Sequence, residues 1–268
     1  LFDQILDLIN QPPGSLVYHF IVLFAVEAAL AISFGQWMRD REKSSARLTI
    51  AAVAVFSART LVLIASLLAW QGYLPRNVLL PPIERAVDTA TMLALVWMVV
   101  TMDDPDILSR NFLPDVLAAV LTGMMIAGFI GTYYYWYFAA SSGALFNGLW
   151  LDVLWGVTQI ILAAVGLIGM LARLRYVFDP FLKGVTLVTL GAAAVVHLVQ
   201  PPLGDVASAI RIGQLAAMPM LASIAYRHVV EQLLHWDAFR PAHEAPAPVA
   251  IPVAVPAPPA PSPIPAPP

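Results

Sequence analysis

Seven apolar runs alternate with short polar stretches along the chain. Each is about as long as the ~20 residues that carry an α-helix across ~30 Å of hydrocarbon. They fall at 15–37, 47–70, 82–102, 113–138, 149–172, 180–200 and 205–230. In lipid a segment must satisfy its own backbone donors and acceptors, so each run is predicted as a helix. The fold class expected is all-α, a polytopic membrane bundle of seven transmembrane helices.

The charges between the runs orient it. With the N-terminus outside, the inner side holds Arg39, Arg41, Lys43, Arg47, Arg110, Arg173, Arg175, Lys183, Arg227 and Arg240, against Arg76, Arg85 and Arg211 outside. This bias predicts an N-outside, C-inside multi-pass protein of the cell inner (plasma) membrane. The weakest vote is the 103–112 loop, where Asp103, Asp104 and Asp106 accompany the single Arg110.

Both ends depart from the bundle pattern. Residues 1–10 place Leu1, Ile5 and Leu8 opposite Asp3, Asp7 and Asn10, so 1–14 reads as a short interfacial helix and turn, ended by Pro12 and Pro13. The bundle occupies 15–236, with helix seven extending into the cytoplasm. From 237 to 268 the chain is rich in Pro and Ala, which favours an extended polyproline conformation: a semi-rigid linker, or an arm lying on a partner.

With 60% hydrophobic residues, 12% charged residues and a net charge of −3, nothing suggests a nucleic-acid surface. The absence of cysteine excludes disulfides, thiolate metal sites and a Cys nucleophile. There is no Walker loop, GxSxG elbow, HExxH or dinucleotide fingerprint, so no catalytic residue is assigned and an intrinsic enzyme is not expected. No lysine lies within helix seven to carry a retinal Schiff base. No internal repeat or pair of broken helices points to a transporter.

Candidate chemistry rests on polar residues that hydrocarbon should exclude. Glu27 and Arg59 lie near the middles of helices one and two, at matching depth, and are expected to form an intramembrane ion pair. The pair could be a relay, a two-state latch or a static register pin. A second group, His19, Glu84, Arg85, Asp88, Asp152, His197 and Arg211, lies in the outer third. Glu84 and Asp88 share a helical face, and Asp88 could meet Arg211. Together they could line an outward polar pocket, or serve as ordinary interfacial residues that snorkel to water. No HxxxH or HxxE spacing supports a metal site. His19 and His197 could in principle ligate a haem or a chlorophyll, or play a hydrogen-bonded structural role; no cofactor is required.

Other features read as architecture. Tyr133, Tyr134, Tyr135, Trp136 and Tyr137 resemble an aromatic belt, with stacking on a ligand ring the alternative. Gly123, Ala127 and Gly131 would permit close helix approach. Pro219 should kink helix seven and could act as a hinge.

The segment 79–97, LLPPIERAVDTATMLALVW, and the segment 222–236, ASIAYRHVVEQLLHW, resemble the membrane-spanning input regions of multidomain sensor histidine kinases from Chloroflexus-group filamentous phototrophic bacteria. The resemblance implies a heptahelical module that passes a signal through its last helix to cytoplasmic domains. The chain departs from that pattern in having no kinase domain after its Pro-rich tail, and His228 lacks the surroundings of a phospho-accepting box. Two functions are therefore expected. One is a non-enzymatic sensory or signalling input module. The other is an accessory subunit of a larger membrane complex, photosynthetic or respiratory, packing on protein partners through its helix exterior and Pro-rich tail.

Overall fold

The computed structural model describes residues 9–103, 113–175, 177–202 and 204–239. The chain divides into a unit Leu1–Val230, which holds the helix bundle, and a unit Glu231–Pro268, where α7 has its last turns. Seven helices are present among the described residues: α1 Gly14–Asp40, α2 Lys43–Trp70, α3 Arg76–Thr101, α4 Leu113–Ser141, α5 Trp150–Leu171, α6 Pro180–Val199 and α7 Ser208–Phe239. Their boundaries follow the apolar runs, the largest differences being an earlier start for α3 and a later end for α7. Residues 1–8, most of the expected interfacial helix, residues 104–112, and residues 240–268 of the expected tail lie outside the described residues, while 237–239 continue α7.

Six of these helices are long and apolar enough to cross a membrane, which is compatible with an integral membrane protein. The exception is α3, whose first half carries Pro81, Pro82, Glu84, Arg85 and Asp88. It is also the central helix, packing against α2, α4, α5 and α6. The two facts have one cause. A helix surrounded by other helices need not match lipid, so it can carry the polar side chains that the others enclose.

Pro81 and Pro82 lie inside α3, six and seven residues into the helix, where their missing N–H groups leave two carbonyls without helical donors. One of these belongs to Asn77, and the indole Nε1–H of Trp136 on α4 donates to it at 3.1 Å. Trp136 is thereby drawn inside, where it meets Phe146 edge-on at a centroid distance of 5.0 Å. Tyr134, Tyr135 and Tyr137 face outward, as belt residues would, so Trp136 departs from the belt.

The main core is apolar, built from Val22, Val26, Leu48, Val55, Met92, Leu95, Met98, Leu187, Met218 and Leu221 among others. Close approach of helices occurs at positions other than those expected. Gly123 and Gly131 meet nothing within 4 Å where a Cβ would stand, and Ala127 is exposed, because α4 turns that stripe outward. Tight contacts lie between α6 and α7, where a Cβ on Gly213 would stand 2.5 Å from that of Ala193, and between α5 and α6, where one on Gly156 would stand 2.8 Å from Leu198. α6 opens on Asp179, whose carboxylate accepts from the Leu182 N–H and pairs with Arg227 of α7 at 2.6 Å.

At the end expected inside, Lys183 meets Asp103 at 2.6 Å. Arg47 and Arg173 there donate to the last carbonyls of α3, Thr101 O at 2.6 Å and Val100 O at 3.0 Å, the favourable position for cations at a helix C-terminus.

Candidate functional site

The polar half of α3 organises the opposite end. Glu84 and Asp88, one turn apart, look toward α1, α2 and α7, while Arg85 looks toward α5 and the turn before it.

On the first side Asp88 pairs with Arg59 of α2 at 2.8 Å, and Arg59 also donates to the Thr91 hydroxyl at 3.0 Å. Glu84 pairs with Arg211 of α7. Arg211 further donates to the Ile9 carbonyl at 2.5 Å and sits over the buried Tyr18 ring at 5.2 Å. His19 of α1 lies 3.8 Å from Glu84 and hydrogen-bonds Ser66 at 3.2 Å. On the second side the Arg85 Nε–H donates to Asp152 at 2.7 Å, and an Nη donates to Asn147 at 2.7 Å. Asp152 also receives the backbone N–H of Gly148 at 3.1 Å and lies 2.9 Å from His197 Nε2. Gly148 holds φ 83°, a conformation that glycine adopts without strain, which aims its N–H back at Asp152.

All these ionisable side chains are buried, Arg85 and His197 completely. Three arginines, Arg59, Arg85 and Arg211, face three carboxylates, Asp88, Asp152 and Glu84, so the buried formal charge closes at zero without the histidines. Pairing one to one is what makes charges tolerable at this depth.

The outer polar group expected from the sequence is buried as two clusters on opposite sides of α3, only Glu84 and Arg211 of the expected pocket residues line the cavity beside it, and two partners differ. Asp88 meets Arg59, and Arg211 meets Glu84 instead. The expected Glu27–Arg59 pair is not formed. Glu27 is exposed on the outer face of α1, because the buried face of that helix runs through Ser15, His19, Val22, Val26, Ala29 and Ser33. His19 and His197 belong to separate clusters, each with its Nε2 engaged, so the structure does not present them as paired axial ligands. Among the described residues no group of three or more His, Asp and Glu side chains is arranged to hold a metal ion.

A cavity of ≈ 400 Å³ adjoins the network at the end expected outside, lined by Arg76, Asn77, Leu80, Pro81, Glu84, Asp205, Val206 and Arg211. It is of ligand size. Glu84 and Arg211 thus belong both to its wall and to the buried network. Arg59 Nε, Arg85 Nη1, Arg211 Nε, His197 Nδ1 and Gln214 Oε1 are buried without a hydrogen-bond partner, so the network retains polar capacity.

Several participants carried little sequence signal. Asn147 and Asp205 lie in loops, where polar residues are ordinary, yet Asn147 ties the α4–α5 turn to Pro202 O and Val206 O, and Asp205 accepts from the Phe146 N–H at 2.8 Å. Gln214, 3.5 Å from Asp88, was legible as the residue one turn beyond Arg211 on the same face of α7. No protein-family model, curated protein or solved structure matches the chain.

Proposed function

We propose that this chain is a seven-span, non-enzymatic sensory input module of the plasma membrane, with its N-terminus outside and its C-terminus inside. The observation that carries the reading is the shared position of Arg211 and Glu84, which line the outer cavity and also pair α7 with α3. A ligand that draws on either side chain changes the free energy of that helix pairing. A ligand shifts a two-state bundle only through such a difference in interaction. α7 carries the change inward past Pro219, its hinge, and the resemblance of 79–97 and 222–236 to sensor kinase input regions supports the same direction of signal flow. α3 is the seventh span, admitted by its neighbours.

The test uses the cavity and the far end of the bundle together. A panel of amino acids, small carboxylates and sugars is screened for thermal stabilisation of the protein in nanodiscs. Spin labels at the exposed Phe181 and Tyr226 positions report the α6–α7 distance at the inner end. The reading expects a stabilising compound whose effect needs Arg76 and Arg211 and which redistributes the labelled distance. A bound compound that leaves the distance unchanged, or a panel without any response, contradicts it.

A second reading, an accessory subunit packed on partners, is favoured by α4. None of its spanning window is buried, and apolar grooves of ≈ 380 Å³ and ≈ 300 Å³ run along its two flanks against α3, with α2 and α5 closing them. In that case α4 is covered in the native membrane, and labels on Met124 and Ile130 are shielded there but not in the purified protein.

A further inference from the structure

We propose that Glu27 marks a docking face for a transmembrane helix of another protein, one that carries a lysine or arginine at mid-membrane depth. Glu27 is the central residue of the 27-residue α1, with thirteen residues on either side. At 1.5 Å per residue each end of the helix is ~20 Å away, and a Glu side chain is far too short to snorkel that distance. It is exposed, and among the described residues it makes no hydrogen bond or ion pair.

Its surroundings are apolar. Phe20, Phe24 and Phe34 share its face and are 42%, 65% and 46% exposed. The aromatic rings would seal a polar contact from lipid on both sides along the helix. Ala28, Ala31 and Gly35, also exposed, let another backbone come near, and a Cβ at Gly35 would meet nothing within 4 Å.

Charge complementarity selects the occupant. The three arginines of the outer network, Arg59, Arg85 and Arg211, are already matched one to one by Asp88, Asp152 and Glu84, and Arg47 faces Asp115 at the other end, so Glu27 is a negative charge beyond those pairs. A bare carboxylate does not persist in hydrocarbon; it takes a proton or meets a cation. A second copy has its Arg59, Arg85 and Arg211 enclosed, and a two-fold contact through α1 would bring only another Glu27, a like charge. A helix with a central Lys or Arg supplies the missing charge. The inference is independent of whether the module senses or only assembles.

The probe is dicyclohexylcarbodiimide, an apolar reagent that modifies carboxyl groups within lipid. Glu27 should be modified in purified protein held as single copies in lipid nanodiscs, read by mass spectrometry of its peptide, and spared in native membranes. A synthetic transmembrane helix with a central lysine, reconstituted beside the protein, should restore the protection and should associate by energy transfer. A leucine-centred helix should do neither, and the Glu27→Gln protein should lose the preference for lysine over leucine. Equal modification in native membranes and in nanodiscs overturns the proposal, since the face then looks at lipid. So does protection in single-copy nanodiscs, which would mean that the chain covers Glu27 itself. Protection that appears only on raising the copy number would assign the face to a second copy instead. Equal association of the two synthetic helices would also count against it.

Discussion

Replacing Asp152 by asparagine should cost this protein about 3–5 kcal/mol of stability, the usual loss when one member of a buried ion pair is removed. The size follows from the surroundings of Arg85, which is fully buried with its Nε 2.7 Å from the Asp152 carboxylate. At an effective dielectric near 20, two charges so close attract by roughly 6 kcal/mol, against a desolvation cost of several. The substituted amide would offer a single acceptor oxygen, so the Gly148 N–H or His197 would also lose its partner. Arg85 would then face only neutral acceptors, the Asn147 oxygen and that amide oxygen, with Nη1 already without one, so its charge would stay buried and uncompensated. Removing both charges, as Asp152→Asn with Arg85→Met, should restore most of the loss, since no bare charge remains. The assay is unfolding in mixed micelles titrated with sodium dodecyl sulfate, followed by tryptophan fluorescence. A single variant within about 1 kcal/mol of wild type would refute the reasoning, because such a value belongs to exposed pairs. A double variant as unstable as the single would refute it equally.

The partner exchange at Arg59 gives a second test. Arg59→Ala should cost about 3–5 kcal/mol and be substantially rescued by Asp88→Asn, whereas Glu27→Gln should give no rescue; a double-mutant cycle reports the two couplings. Gly213→Ala should cost about 1–3 kcal/mol by parting α6 from α7, while Gly131→Ala, with open space around it, should be neutral or gain up to about 1 kcal/mol. Equal effects would contradict the packing described, and melting in detergent reads both. Trp136→Phe should cost about 0.5–1.5 kcal/mol through loss of the indole bond to the Asn77 carbonyl, the usual net worth of one hydrogen bond. In a Pro81→Ala background the backbone N–H restored at that position can reach the same carbonyl, so the loss should shrink; an equal loss in both backgrounds would show that the indole bond is not the cause.

Much of the helix order was legible because a span must be long and apolar, and that requirement leaves little freedom in the sequence. The residues of the polar group were legible for the complementary reason, since charges at such depth stand out. Their partners were not, because depth alone does not tell which way a side chain points. Helical phase was available and corrects the pairing. Ser15, His19, Ser33 and Gln36 of α1 recur on one face, and that face is buried, whereas Glu27 shares its face with Phe20, Phe24 and Phe34. Arg59 and Asp88 also lie at nearly equal sequence distance on either side of Tyr73, in the turn between α2 and α3, so their depths match as well as those of Arg59 and Glu27. The stripe Gly123, Ala127 and Gly131 misled because small residues permit close approach without requiring it. Trp136 turned inward for a reason that lies 55 residues earlier in sequence, at Pro81, and no local pattern could report it.

Both the cavity and the buried ion pairs depend on α3, the one helix outside the six that by length and composition could cross a membrane, crossing it at the centre of the others. Single cysteines in place of Ser44 and Ser142, in a chain without native cysteine, test this directly with an impermeant maleimide applied to sealed, oriented vesicles. Ser44 stands at the start of α2 and Ser142 just beyond α4, so α3 lies between them. If α3 spans, the two positions are accessible from opposite faces, which is the result expected; labelling of both from the same face would remove α3 from the membrane and contradict the seven-span bundle.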